Sequence, residues 1–441
     1  MSADATSIYR PRDLPAFIAS GVLSTLAMQV QSVAIAWQIY DIEHTPLALG
    51  WVGLCQFVPL FLCTLPAGEL VDRIDPRRVL AAAQIVQAAC SALFLVCTLL
   101  TPHNALPFYA VLTLFGAARG FSEPAGQPLL AFLVPADKLA KAIAHNSSLT
   151  TVAVIAGPAL GGFLFAAGPM STYSACLAAL VLAGFLTASL GGRRVPAEDV
   201  TAGDVTAAAA PVDHLQALAS TAPAAGASRW ERVVEGIRFV RARPIVLGAI
   251  SLDLFAVLLG GAAALLPVFA RDILHVGPMG LGLLRSAPAA GAAVMAFVLA
   301  HRPIERRSGT HLFVAVAIFG LATVTFGLSR DFYLSLAALF VTGASDMISV
   351  IIRSTLINFA TPDPMRGRVS AVNMLFVGAS NELGEFESGM TAAWFGTVPA
   401  VIIGGLGTLA VVAVWIGLFP PLRKADRLTE ALQPAQALPA S

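Results

Sequence analysis

The sequence is cut into apolar stretches of roughly 20 residues, the length a helix needs to cross the hydrocarbon core of a bilayer. No other feature constrains its folding as strongly. The stretches cover 14–40, 46–67, 77–100, 106–133, 143–167 and 171–190, then 244–270, 279–300, 310–329, 332–357, 369–392 and 398–419. Between them lies little that could face water: 12% of residues are charged and mean hydropathy is +0.78, against about 25% charged in a soluble domain. The first stretch is too long for a signal-peptide core of about 7–15 residues, and is expected to stay as the first span. The expectation is an all-α membrane protein with twelve transmembrane helices.

Arginine and lysine orient those spans. With the N-terminus inside, 22 of the 27 fall in cytoplasmic segments, Arg271 and Arg330 fall outside, and Arg119, Arg285 and Arg353 lie within spans. The positive-inside rule then places both termini in the cytoplasm. Arg285 and Arg353 lie towards span ends, where an arginine is expected to snorkel to the interface. Residues 191–229 are rich in Ala, Pro, Thr and Gly with no sustained apolar run, as a linker would be, and 230–243 reads as a basic amphipathic surface helix. The expected organisation is a six-helix bundle over 1–190, a cytoplasmic linker with an amphipathic helix over 191–243, a second bundle over 244–427 and a disordered tail over 428–441.

The halves repeat. Leu129, Phe132, Pro135 and Asn146 align with Leu356, Phe359, Pro362 and Asn373 at a constant offset of 227. Asp41 and His44 match Asp272 and His275, Pro59 matches Pro288, and Arg73, Arg77 and Arg78 match Arg302, Arg306 and Arg307. Two pseudo-symmetric six-helix bundles imply a solute path near the bilayer midplane.

Two motifs stand out. The loop after the second span contains Gly68, Asp72, Arg73, Arg77 and Arg78. Positive-inside bias accounts for its arginines but not for the Gly-x-x-x-Asp-Arg spacing, which suits a gating latch: Asp72 pairs with an arginine or caps a neighbouring helix in one state and releases it in another. The fifth span contains Gly157, Pro158, Gly161 and Gly162, a face of small residues for close helix packing with a proline bend.

Through these residues the sequence resembles the major facilitator superfamily, whose loop signature is G-x-x-x-D-R-x-x-R-R/K. Here Asp75-Pro76 stands where the family often has Gly, and the second-half copy lacks the aspartate. Gly157-Pro158-x-x-Gly161-Gly162 is similar to the G-P-x-x-G-G motif of its exporters. The stretches Trp37–Asp41, Pro46–Gly50 and Arg366–Val369 resemble the bacterial enterobactin-exporter-like branch. The resemblance implies the major facilitator fold, a bacterial plasma (inner) membrane location and a siderophore or drug-like amphipathic cargo.

Ionisable groups at membrane depth are costly and are functional candidates by default. They are Arg119 and Glu123 in the fourth span, Asp253 in the seventh, Asp346 in the tenth, and Glu382 and Glu385 in the eleventh. The repeat offset sets Asp346 against Arg119, so these two are expected to face a shared polar cavity with Glu123 competing for the arginine. Structural ion pairing is the plainer reading of any one of them; as a group they are candidates for proton coupling or cargo contact.

Other chemistry finds no support. The five cysteines all lie in apolar runs, the seven histidines are scattered, and none of the three lysines follows a glycine as in a Walker A loop. No catalytic residue, cofactor, metal, nucleotide or nucleic acid is expected. The expected function is proton-coupled export of a small molecule by alternating access, its partners being cargo, protons and lipid. A facilitator or importer of the same fold is the first alternative, and a non-transporting multi-pass receptor or scaffold the second.

Overall fold

The computed structural model describes residues 12–101, 103–134, 136–191, 229–304 and 306–423, and in these it is helical almost throughout. Helices α1 (Asp13–Glu43), α2 (Pro46–Arg73), α3 (Pro76–Leu100), α4 (Leu106–Leu133), α5 (Ala136–Ala166) and α6 (Pro169–Ser189) form the first half. Then come α7 (Arg229–Ala242), α8 (Pro244–Gly260), α9 (Gly277–His301), α10 (Ser308–Leu328), α11 (Phe332–Ala360), α12 (Asp363–Phe395) and α13 (Thr397–Leu418). Most of residues 191–229 and all of the 428–441 tail lie outside the described residues.

Among the described residues, ten helical stretches are long and apolar enough to cross a membrane. Helices α4 and α12 have the length, 28 and 33 residues, but ionisable side chains lower their apolarity. The same residues that mark these helices as functional candidates make them poor spans by composition.

Prolines and glycines punctuate the chain. Proline opens α2, α3 and α8 at their first turn, where its missing N–H costs nothing. His44 and His275, matched by the repeat, both adopt left-handed backbone with φ 53°. The duplicated sequence thus builds the same chain reversal twice.

The seventh span, expected over 244–270, is one of the ten candidate spans, Pro244–Ile273, but its helix is interrupted. Helix α8 ends at Gly260, a 3-10 turn covers Ala263–Leu265, and a π turn covers Phe269–Ile273. The Gly260-Gly261 pair and Pro267 weaken the helical ladder there. Side chains satisfy carbonyls around the break: Ser388 Oγ donates to Gly261 O (2.6 Å) and Thr408 Oγ1 to Ala256 O (3.0 Å).

The chain divides into two compact units, Met1–Ala219 with Val276–Ser286, and Ser220–His275 with Ala287–Ser441. In the first, α1 packs on α5 and α6, α3 on α4 and α6, and α2 on α4. Its apolar centre gathers Ile39, Phe94, Phe108, Leu112 and Tyr173, with Phe94 stacked on both Phe108 and Tyr173. In the second, α10 packs on α11 and α13, and α8 on α12 and α13. Helix α7 docks on α12: Gly236 lies against the Arg368 carbonyl, Glu235 pairs with Arg368 at 2.6 Å, and Val240 is buried with Val369 and Val372.

The repeat also recurs in packing. A Cβ on Gly116 of α4 would run into the Gln56 carbonyl of α2, and one on Gly343 of α11, 227 residues later, into the Pro288 carbonyl of α9.

A ladder of uncharged polar side chains ties the first unit together. Gln84 Nε2 donates to Ser20 Oγ (3.0 Å) and Ser24 Oγ (2.9 Å), and Ser91 Oγ to Gln31 Oε1 (2.5 Å). Further along, Gln38 Nε2 donates to Thr98 Oγ1 (3.0 Å) and accepts at Oε1 from the Tyr173 hydroxyl (2.8 Å). Where lipid tails replace water, such interhelical bonds give direction that apolar packing lacks; each contributes about 0.6 kcal/mol on average and about 1.7 at most. Gln84→Leu removes two of them and is expected to destabilise the protein by about 1–2 kcal/mol. A thermal melt of purified protein reads this as a lowered Tm; an unchanged Tm contradicts it.

Candidate functional site

The loop motif forms a tight corner between α2 and α3. Gly68 is buried in α2, and Arg73 and Arg78 are exposed on either side of the turn. Asp75 caps α3: its Oδ1 accepts the Arg77 backbone N–H (3.0 Å), with Pro76 at the first helical position. Arg77 reaches back to Asp75 (Nε–Oδ1 3.6 Å) and donates through Nη1 to the Leu190 carbonyl at the end of α6 (3.2 Å). The side chain of Asp72 lies outside the described residues. The helix cap at this corner is Asp75, the residue that departs from the family pattern. An aspartate followed by proline is a helix-start signal in its own right.

The motif of α5 is a packing surface with two faces. Gly161 lies against α1, where an added Cβ would come within 2.9 Å of the Val30 carbonyl and 3.0 Å of its Cα; Gly157 lies against Gln29. Gly162 points the other way, its added Cβ falling 3.1 Å from Gly282 Cα in the 276–286 segment that clusters with this unit. Beside Pro158, the Ala159 N–H donates to Ser286 Oγ (3.1 Å), which itself donates to Gly282 O (2.9 Å).

The ionisable candidates fall into three groups. On α4, Arg119 Nη2 meets Glu123 Oε1 at 3.3 Å one turn away, with side chains 25% and 57% exposed. Arg119 Nε is buried without a hydrogen-bond partner. On the same helix Ser122 accepts from Gln87 Nε2 (3.1 Å) and donates to the Arg119 carbonyl (3.2 Å). The structure pairs Arg119 with Glu123 on its own helix.

In the second unit, Asp253 of α8 forms an ion pair with Arg353 of α11, the side chains being 7% and 4% exposed. This was not foreseen, since Arg353 was read as snorkelling. Asp346, two turns earlier on α11, is half-buried and shares a cleft of about 10 Å³ with Asp253, Ser345 and Ser349, room for about one water. On α12, Glu382 and Glu385 are half-buried, each with an interaction of its own, and Glu387 accepts from Thr391 Oγ1 (2.6 Å). The signal for the missed pair was the cost of a lone arginine at depth; reading it needed the neighbouring helix.

With the fold and these groups in place, comparison with known proteins gives the family. The Major Facilitator Superfamily model matches residues 17–384. The chain belongs to the major facilitator superfamily. It is a multi-pass membrane transporter, similar to the enterobactin exporter of Citrobacter koseri at 24% identity over 91% of this chain and 90% of that one. A 154-residue stretch is 25% identical to the staphyloferrin A transporter of Staphylococcus aureus, covering 34% of this chain and 38% of the relative. The fold is similar to the crystal structure of a bacterial homologue of the lysosomal transporter Spinster in an inward-facing, unoccupied conformation. That likeness has a TM-score of 0.68 and 14% identity, and covers 97% of this chain and 100% of that one.

Gly161→Leu is expected to lower stability by about 1–3 kcal/mol through overpacking against α1. Gly21→Leu on α1, where nothing lies within 4 Å of the added Cβ, should leave it near wild type. Folded yield and melting of the two variants check this; equal behaviour would show that the α5 face tolerates bulk.

Proposed function

We propose that this transporter is a proton-coupled exporter of a small amphipathic molecule, of siderophore or drug-like type, working by alternating access between two six-helix bundles. The reading is carried by the ionisable side chains within the helices: the half-exposed Arg119–Glu123 pair on α4, and the buried Asp253–Arg353 pair with Asp346 on α8 and α11. A passive conduit for neutral solutes gains nothing from carboxylates at that depth, where each costs several kcal/mol unless paired. A proton-coupled carrier needs acids that load from one face and unload to the other. Likeness along nearly the whole chain to an enterobactin exporter supports outward movement and the cargo class, as does the glycine-proline motif of α5.

In this reading Arg119 and Glu123 contact cargo, and Asp253, Asp346, Glu382 and Glu385 serve proton coupling. The α2–α3 corner, with Gly68, Asp72, Arg73, Arg77 and Arg78, gates the cytoplasmic side. The protein resides in a bacterial inner membrane with both termini in the cytoplasm, as the distribution of arginine and lysine supports.

The test is accumulation of catechol siderophores and cationic dyes in inverted vesicles under an imposed pH gradient. Gradient-driven accumulation abolished by a protonophore is expected, with Asp346→Asn reducing it about tenfold or more at normal folded yield. Equilibration indifferent to the gradient would make the protein a facilitator, and wild-type rates in Asp346→Asn would remove that residue from the mechanism.

A further inference from the structure

The short basic helix ahead of the seventh span carries a charged face that the protein leaves uncovered. Helix α7 turns one side inward, where Gly236 and Val240 are buried and Ile237 and Phe239 half-buried against α12 and α8. Its Glu235 is taken by Arg368 of α12. Val234, Arg238 and Arg241, spaced four and three residues apart, share the opposite face and are all exposed. Among the described residues neither Arg238 nor Arg241 has an ion-pair partner.

The chain sets that face at a membrane surface. Pro244 opens α8 directly after α7, with Arg243 alone between them in extended backbone (φ −117°, ψ 99°). Pro244–Ile273 is long and apolar enough to span the bilayer, so Arg238 and Arg241 stand within two turns of its entry. A cation in the last turn complements the helix dipole, which accounts for Arg241. It does not account for Arg238, nor for exposed Val234 on the same strip. A strip that mixes arginine with an aliphatic side chain suits the headgroup boundary, where phosphates meet the upper acyl chains. The guanidinium fork binds phosphate through two parallel hydrogen bonds.

We propose that the outer face of α7 binds the phosphate headgroup of an anionic phospholipid, held by Arg238 and Arg241. The inner face of the same helix grips α12 and α8, so the bound lipid braces the second unit where its spans meet the membrane surface. The site depends on neither cargo nor proton coupling, and its test is separate from theirs.

Native mass spectrometry of the purified full-length protein tests this, with phosphatidylglycerol and phosphatidylcholine as probes. Phosphatidylglycerol should bind roughly tenfold more tightly, the gain expected of two arginines at a membrane surface. Arg238→Gln with Arg241→Gln should cut that preference to about twofold or less, and Arg238→Lys with Arg241→Lys should keep most of it. Arg302→Gln with Arg306→Gln, an exposed basic pair elsewhere in the chain, should leave it unchanged. Absence of a preference in wild type, or its survival in the α7 glutamine pair, overturns the proposal. An equal loss in the Arg302 and Arg306 pair would assign the preference to general basicity and overturn it too. Displacement of phosphatidylglycerol by inorganic phosphate at equal concentration would mark a site for free anions, against the lipid assignment.

Discussion

Inside a bilayer no water is available to satisfy a polar group, so each must find its partner on a neighbouring helix or in its own backbone. Much of this structure follows from that condition. In the first unit neutral side chains supply many of these partners: Gln31, Gln38 and Gln84 each bond a serine, threonine or tyrosine on an adjacent helix, and these bonds join α1, α3 and α6, while Gln31 Nε2 and Gln84 Oε1 are buried without a partner. In the second unit a charge is met by a charge, Arg353 by Asp253. Where α8 breaks, hydroxyls from α12 and α13 cover carbonyls at the interruption.

The two solutions differ in what they permit. A glutamine–serine bond has no alternative protonation state and serves to hold helices in place. A buried ion pair responds to protons, because protonating its acid releases its base. Small residues set the distances over which either operates: Gly116 and Gly343 bring helix pairs close at equivalent places in the two halves, and Gly157 and Gly161 bring α5 onto α1. The neutral polar contacts lie among α1, α3 and α6, and the ionisable groups within the helices lie on α4, α8, α11 and α12.

The features legible in the sequence were those that depend on local composition. Apolar runs correspond to the ten stretches long and apolar enough to cross a membrane, the basic amphipathic pattern at 230–243 corresponds to α7 at Arg229–Ala242, and the matched histidines recur with the same backbone. What escaped depends on rotation about a helix axis and on which helices are neighbours. Asp253 and Arg353 lie on different helices, far apart in the sequence, and no periodicity joins them. The ladder of Gln84, Gln87 and Ser91 was hidden because glutamine and serine in an apolar run carry no charge to draw notice. Two local signals were present but underweighted: the Gly260-Gly261 pair with Pro267, which interrupts the seventh span, and Asp75-Pro76, which starts α3.

The central claim is that a proton enters the apolar spans and binds at the cleft lined by Asp253 and Asp346. A step to alkaline pH across membranes bearing the purified protein, read by solid-supported-membrane electrometry, tests it directly. The account predicts a transient charge displacement from wild type without cargo, and its loss in Asp346→Asn. An equal displacement from both proteins would contradict it.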